Sequence, residues 1–401
     1  MKKVIVVGGG AAGFFFAVNY KEKNPKDEVI ILEKAKLPMQ KIKISGGGRC
    51  NVTNATFEPR ELVKNYPRGS RELMGVFAQF QPADTFEWFN NRGVEFMIQD
   101  DLRVFPETND SQTIIDCLYQ NAVQLGVKYY AEQAVKSIQK KGEQFIIKTT
   151  DNEYISDYVL VASGGSKVIW NILEGINIAV IKPVPSLFTF NCKDDRIKDL
   201  MGLAMYQCET KIKELKAKEF GPVLITHWGF SGPGILKLSA WNARELAEMD
   251  YSFTLQINWL SEDFNEVLET LRNFKEENAK AKTQNYNPFE IPKRLWISFL
   301  QASSIAIDVN WADCNKKKIN KLAQELTQAE YAIKGKSTHK DEFVTAGGVD
   351  LKKINLKTME SKQIGGLYFA GEAIDIDAIT GGYNFQNAWS TAWIAAQNMG
   401  R

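Results

Sequence analysis

Histidine is scarce: the chain of 401 residues holds two, His227 and His339. That excludes a His-rich metal site, and no metal ligand set is expected. The five cysteines, at positions 50, 117, 192, 208 and 314, form no C-x-x-C pair. An odd, scattered set fits reduced thiols in a cytoplasm rather than a disulfide framework. Long apolar runs are absent too. Met1-Lys2-Lys3 opens like a secretory signal, but the apolar run Val4 to Val7 stops at Gly8. That is too short for a signal's apolar core. Nothing approaches the ~18 apolar residues of a membrane helix, so no membrane association is expected. Excess charge is missing as well: 50 Lys and Arg against 48 Asp and Glu leave +2. A balanced chain carries no obvious electrostatic footprint for a polyanion, and no nucleic-acid partner is expected. The longest basic run, Lys316-Lys317-Lys318, reads as a solvated helix face. Internal repeats and low-complexity linkers are absent.

What is present begins at the N-terminus. Val4-Ile5-Val6-Val7 is wholly apolar and suits a parallel strand buried on both faces. Gly8-Gly9-Gly10-Ala11-Ala12-Gly13 follows and reads G-x-G-x-x-G, then Phe14 to Lys21 continues with helical character. A second apolar strand, Glu28 to Leu32, ends at Glu33, which lies 20 residues beyond Gly13. This is the dinucleotide-binding βαβ pattern. Gly8 permits the tight turn, Gly10 lets the backbone approach a pyrophosphate, and Gly13 lets helix and strand pack. The helix start at Ala11 and Ala12 offers N–H groups to the phosphates. Glu33, with Lys34 beside it, is placed for the ribose of an adenosine. An acid there disfavours a 2′-phosphate, leaving FAD or NAD.

Two later stretches bear on that choice. "YVLVASGGSK" (158–167) is a buried strand ending at Ser163-Gly164-Gly165. "GGLYFAGEAIDIDAITGGYNFQNAW" (365–389) is a strand, Leu367 to Ala370, then Gly371-Glu372, a loop, Gly381-Gly382-Tyr383, and an Ala-rich helix from about Asn384. Chain ends that each carry a glycine-to-helix junction suit a long cofactor with two ends to hold. Strand-like pieces lie at 127–135 and 145–149; in FAD proteins of this kind a strand near residue 128 often puts a backbone amide, here from the region of Gln133 to Val135, near the adenine. No second G-x-G-x-x-G unit exists, so a dedicated nicotinamide domain is not expected.

The stretches "VIVVGGGAAG", "KIKISGGGRCNVTN", "LVASGGSK", "THWGFSGPGIL", "FVTAGGVDL" and "TMESKQIGGLYFAGEAIDIDAITGGYNFQNAWSTAW" span residues 4 to 395. In these the sequence resembles the bacterial FAD-dependent oxidoreductases of the YhiN/BaiN type, also labelled the aminoacetone oxidase family. The resemblance implies an α/β fold: a Rossmann-like, glutathione-reductase-like FAD-binding domain with an inserted β-rich plus helical domain. It implies tightly bound FAD, with NADH or NADPH as a transient donor. Glu372 is then expected at the flavin-side ribityl or phosphate region. The helix start at Gly382, Tyr383 and Asn384 is expected to face the flavin pyrimidine ring, where its dipole stabilises negative charge. Ser163 stands where such proteins often have Thr. The loop Ser45, Gly46, Gly47, Arg49, Cys50 and Asn51 is expected as one wall of the site, its glycines letting backbone approach the flavin.

The sequence supports the insert independently. Strand-like alternation at 203–213, 223–226 and 251–259 is followed by helical stretches near 262–280, 292–304 and 316–326. Strands followed by helices suggest a separate β-rich domain. The expected division is 1–187 with 337–401 for the FAD domain and 188–336 for the insert, with substrate at the domain interface.

Arg49, His227 and Tyr383 are the catalytic candidates. Arg49 suits the pyrophosphate or a substrate carboxylate, or a structural tie to backbone carbonyls. His227, in "THWGFSGPG", suits a proton donor or a structural histidine; His339 carries a similar weight. Cys50 lacks the partner thiol of a redox pair. Trp389 and Trp393, at i and i+4, read as core. The expected function is hydride transfer between FAD and a small organic substrate, by enone-type reduction or amine or aminoketone oxidation. The alternatives are a flavin-dependent RNA-modifying enzyme and a non-catalytic FAD-binding protein. Oligomeric state is not legible.

Overall fold

The computed structural model describes residues 1–337 and 344–400. It divides into two compact units, one of Met1–Pro185 with the C-terminal stretch, the other beginning at Ser186 and running through the strand Ala329–Ser337. His339 lies outside the described residues.

The first unit is built on a seven-stranded sheet. Its order is Ile354–Asn355, Glu360–Ser361, Leu367–Phe369, Tyr158–Val161, Lys3–Val7, Glu28–Leu32, Lys128–Tyr130. The last five of these run parallel, and the two-residue strands form an antiparallel edge. Val4, Ile5 and Val6 are fully buried, which is why the first strand is apolar without alternation. From Lys3–Val7 the chain steps outward through Glu28–Leu32 to Lys128–Tyr130. It then crosses to the opposite side at Tyr158–Val161. That reversal is the topological switch point, and ligands of open α/β sheets bind outside the carboxyl ends of the strands there. Gly8 stands at this spot.

The helix Ala11–Lys23 is buried from Ala12 to Lys21 and has no polar stripe. It lies against the closing helix Tyr383–Asn398, and an aromatic layer fills one flank. Phe15 lies 4.5 Å from Trp88 and 5.1 Å from Trp389, ring centre to ring centre. Trp389 is fully buried, as its spacing suggests, while the half-buried Trp393 stacks on Phe80. Residues 55–125, left without elements in the sequence reading, hold several helices and the short strand pair Phe96–Ile98 and Arg103–Pro106. They bring Trp88 and Phe89 to the layer.

The second unit is a closed six-stranded barrel: Thr189–Cys192, Gly229–Ser231, Ala217–Ile225, Ala204–Ile212, Ser252–Asn258 and Ala329–Ser337. Closure leaves no sheet edge to protect. Ser252–Asn258 buries every second residue, Phe253, Leu255 and Ile257. Helices Pro233–Trp241, Phe264–Glu277, Lys293–Ala302 and Lys316–Thr327 share its core, with Trp259, Trp296 and Trp311 almost wholly enclosed. Three barrel strands are absent from the sequence reading. Two are three or four residues long, and Ala329–Ser337 follows a helix without a turn signal to separate them. Among the described residues, no helix is long and apolar enough to cross a membrane.

Candidate functional site

The glycines at the switch point differ in their surroundings. Gly8 has φ 114°, and a Cβ there would lie 2.5 Å from the Ala162 carbonyl oxygen. A Cβ on Gly13 would lie 2.1 Å from the Gly8 oxygen, so helix and turn touch backbone to backbone. Gly10 differs: nothing lies within 4 Å of its virtual Cβ. It faces open space at the start of the helix. That helix start has no side-chain cap and no acid in its first turn. Its first N–H groups, from Ala11 and Ala12 onward, are left for an anion. A pyrophosphate fits this cradle.

Glu33 is already oriented. One carboxylate oxygen accepts from the Gly9 N–H at 2.7 Å and the other from the Ala35 N–H at 2.8 Å. Each oxygen keeps a lone pair for a ribose hydroxyl. The Gln133 N–H donates to the Glu33 carbonyl at 2.8 Å, which brings the segment holding buried Val135 alongside. Lys34 is exposed. Tyr129, which sequence reading missed, belongs here. Its ring lies 3.2 Å from the virtual Cβ of Gly9, and its hydroxyl is buried with no partner. Burial, then the Glu33 carboxylate, pushes its phenol up to about 12. It stays a hydrogen-bond donor. Its only sequence signal is its place in the third parallel strand.

On the other side of the first strand, Gly8 packs against Ser163, whose hydroxyl is also buried and unpartnered. Gly164 has φ 59°, and Gly165 faces Thr345 and the Glu372 carboxylate. Glu372 accepts from the Thr345 N–H at 2.9 Å and pairs with Lys41 at 2.6 Å. Gly371 comes within van der Waals reach of Ala12, which ties the late strand to the first helix.

The loop after residue 44 is held in unusual backbone. The helix Gln40–Gly48 breaks at Ser45, and Gly46, Gly47 and Gly48 take φ of 58°, 69° and 84°. Such a left-handed run is open only to glycine at low cost. Cys50 also sits at φ 61°, fully buried. Burial pushes its thiol up to about 12, which favours the neutral thiol at physiological pH. Arg49 donates to the Gly46 carbonyl at 3.2 Å, with its guanidinium 4.1 Å above the Phe105 ring. The structural tie considered for Arg49 is thus in place. Asn51, with its amide oriented to satisfy both neighbours, accepts from the Gly382 N–H at 2.9 Å and donates to the Thr53 carbonyl at 3.0 Å.

That bond joins the loop to the second glycine junction. Gly382 has φ 92°, and a Cβ there would lie 2.3 Å from the Thr53 oxygen. Asn54 donates to the Gly381 carbonyl at 3.1 Å. Asn384 closes the loop on itself through both the N–H and the carbonyl of Ala378. The Tyr66 hydroxyl donates to the Tyr383 carbonyl at 2.6 Å. Burial raises the Tyr383 phenol, against a hydrogen bond with Thr56 that lowers it. The helix begun here has no side-chain cap and no acid in its first turn. The buried side-chain amide oxygen of Asn387, one turn in, has no partner. The amide oxygen of Gln386 accepts from Thr53 at 2.6 Å and Thr85 at 2.9 Å, and Trp389 donates to the Val52 carbonyl. Sequence reading missed this scaffold, because its members lie hundreds of residues apart.

Arg49, Tyr383 and every cofactor-binding candidate fall in the first unit. His227 falls in the barrel unit, where it is exposed on the turn Thr226–Gly229. Among the described residues no cluster of His, Cys, Asp and Glu has the makings of a metal site.

Residues 2–398 match the family described as the HI0933-like protein Rossmann domain. A ribosomal RNA dihydrouridine synthase of Escherichia coli is 28% identical over 406 aligned positions, covering 98% of this chain and 97% of that protein. A 3-dehydro-bile acid delta(4,6)-reductase of Clostridium scindens is 25% identical, covering 99% and 98%. The solved 3-ketosteroid delta1-dehydrogenase of Sterolibacterium denitrificans superposes with a TM-score of 0.53 at 11% identity, over 100% of this chain and 99% of that one. This last likeness is one of fold.

Proposed function

The chain belongs to the HI0933-like Rossmann-domain family and is a flavin-dependent oxidoreductase; from that premise we propose that it reduces a carbon–carbon double bond conjugated to a carbonyl, in a uridine of ribosomal RNA. The observation that carries this reading is a chemical denominator shared by two relatives that align along nearly the whole chain. Forming dihydrouridine and reducing a bile-acid 4,6-dienone both saturate an alkene polarised by a conjugated carbonyl. The higher identity to the RNA-directed relative favours uridine. This departs from the expectation of a small organic substrate and no nucleic acid.

FAD, when bound, supplies the hydride. The chain's residues hold and bias it. The free N–H groups after Gly10 would hold the pyrophosphate, Glu33 and Tyr129 the adenosine ribose, and Glu372 the region beyond the phosphates. The uncapped N-terminus of Tyr383–Asn398 would offer partial positive charge to an anionic reduced ring set before it, and its dipole would then favour the reduced cofactor. Tyr383 keeps its proton because burial raises the phenol, which suits it to hold a carbonyl oxygen or return a proton. The neutral, enclosed Cys50 leaves no thiol relay between cofactor and substrate. NADH or NADPH is the proposed electron donor, visiting transiently.

The test is anaerobic. Holo-protein reduced with NADPH or dithionite is mixed with ribosomal RNA lacking dihydrouridine, with a steroid 4,6-dien-3-one, or with an aminoketone. Return of oxidised-flavin absorbance with RNA, and dihydrouridine in its mass-spectrometric digest, is the expected result. Reoxidation by the dienone with RNA untouched would move the substrate to a small enone. Reduction of the flavin by the aminoketone would reverse the direction of the reaction.

A further inference from the structure

Dihydrouridine formation needs a grip on RNA, and a net charge of +2 supplies no strong field for one. The barrel unit offers another means. Its surface carries Tyr206 at 74% exposure and Phe220 and Trp228 at 58% each. These rings lie along one hairpin and its continuing turn. Phe220 pairs with Glu209 and Gly221 with Cys208; pairing resumes at Val223 with Met205. Two residues, Tyr206 and Gln207, therefore oppose the single Pro222, and the bulge turns Tyr206 outward. Phe220 lies two residues from Pro222 along the strand, about 7 Å.

Trp228 follows on the turn that leaves this strand, and the turn is rigid. The Thr226 N–H donates to the Gly229 carbonyl at 2.8 Å, and the Thr226 hydroxyl accepts from the Trp228 N–H at 3.2 Å. The Trp228 carbonyl accepts from the Cys192 N–H at 2.8 Å. Gly229, at φ 143°, leaves no room for a Cβ, which would sit 2.2 Å from the Phe190 oxygen. The backbone is fixed from both sides, and the indole it carries touches no other ring. Among the described residues, the side chains of Tyr206, Phe220 and Trp228 have neither a hydrogen bond nor a ring partner. The same barrel buries Phe190, Phe230 and Phe253 completely or nearly so.

We propose that Tyr206, Phe220 and Trp228 form a stacking strip for unpaired bases of single-stranded RNA. The inference rests on the RNA reading above and names the surface that reading lacks. Along the two strands the rings alternate with polar residues, Gln207 and Glu209 after Tyr206 and Glu219 before Phe220. Isolated π-faces suit bases, whereas a protein partner wants contiguous apolar area. Exposed lysines, without an ion pair among the described residues, stand at both ends: Lys216 in the hairpin turn, and Lys193 next to the Cys192 that holds Trp228. They suit the phosphates between stacked bases.

The test uses the FAD-loaded protein and a uridine-containing single-stranded RNA oligonucleotide, with the same sequence as a duplex for comparison. Wild type is expected to bind the single strand more tightly. Trp228→Ala is expected to weaken that binding roughly 5- to 150-fold, the range one base–aromatic stack supplies. The salt slope should not change, because no phosphate contact is lost. Trp228→Phe should recover most of the affinity, and FAD content should match wild type in both. Tyr206→Ala should behave likewise. Wild-type binding that survives Trp228→Ala and Tyr206→Ala unchanged overturns the strip and leaves the RNA reading standing. No binding by wild type at low salt overturns both. A dimer that dissociates on Trp228→Ala assigns the strip to a second copy and overturns the proposal.

Discussion

Gly10 and Gly13 are three residues apart and fail differently when substituted. Gly13 has backbone 2.1 Å from any added Cβ, so Gly13→Val should break the packing of turn and helix. Its expected signature is a lowered melting temperature in apo-protein and holo-protein alike. Gly10 has open space, so Gly10→Val should fold with an unchanged apo melting temperature yet lose FAD. Absorbance of the purified protein after desalting, set beside calorimetry of the apo form, separates the two. Cys50 offers a second check at this scale. A thiol pushed up to about 12 by burial should resist alkylation by iodoacetamide at neutral pH. Cys50→Ala should keep turnover within about threefold if no thiol chemistry is used, a change under about 1 kcal/mol. A loss of several hundredfold would restore the cysteine to the mechanism.

Secondary-structure elements show how much was legible and why. The first strand, its glycines, the second strand and Glu33 follow one another within 33 residues, so a local pattern carries them. The second junction at Gly381-Gly382 was legible as a glycine-to-helix turn. What grips it was not. Asn51, Asn54 and Tyr66 hold Gly381, Gly382 and Tyr383 from more than 300 residues away, and no periodicity encodes such a contact. The loop is also clamped by Arg68 on the fully buried Asp377. Removing one partner of a buried pair strands the other, at a cost of about 3–5 kcal/mol. Asp377→Ala should therefore unfold at markedly lower denaturant. Asn384→Ala is milder: it strips the Ala378 N–H and carbonyl of their partner. That should cost about 1–3 kcal/mol. It should also shift the flavin reduction potential if the helix start faces the ring. An unchanged potential with lowered stability would confine Asn384 to scaffolding. The barrel was half legible: Ala204–Ile212 and Ser252–Asn258 alternate visibly, while Gly229–Ser231 is too short to show a period and Ala329–Ser337 runs on from a helix with no turn signal between.

Across the whole molecule the five cysteines act as one group. All are buried and free. Burial pushes Cys50, Cys192 and Cys208 up to about 12 and Cys117 to about 11, and raises Cys314 as well. In the unfolded chain the same thiols ionise near the ordinary value of 9.0. Each folded value is raised, so the stabilisation is complete below pH 9 and is lost as pH climbs through 11 to 12. The melting temperature should fall steeply over that window. Replacing Cys192 and Cys208 by Ala or Val should flatten the fall, with cavities lowering the neutral-pH value. Equal alkaline slopes for parent and variant would remove the thiols as its cause.

The packing of the first helix against the last sets an order of events during synthesis. Ala11–Lys23 leaves the ribosome early, but its partner Tyr383–Asn398 arrives about 360 residues later. At ordinary elongation speed that gap is roughly 20–70 s. The barrel strands all lie between and are complete first. The cofactor's cradle is therefore assembled last, and FAD should join a chain whose barrel is already folded. Ribosomes stalled before Tyr383 should display a protease-resistant barrel and an N-terminal segment that is still cleaved and carries no flavin.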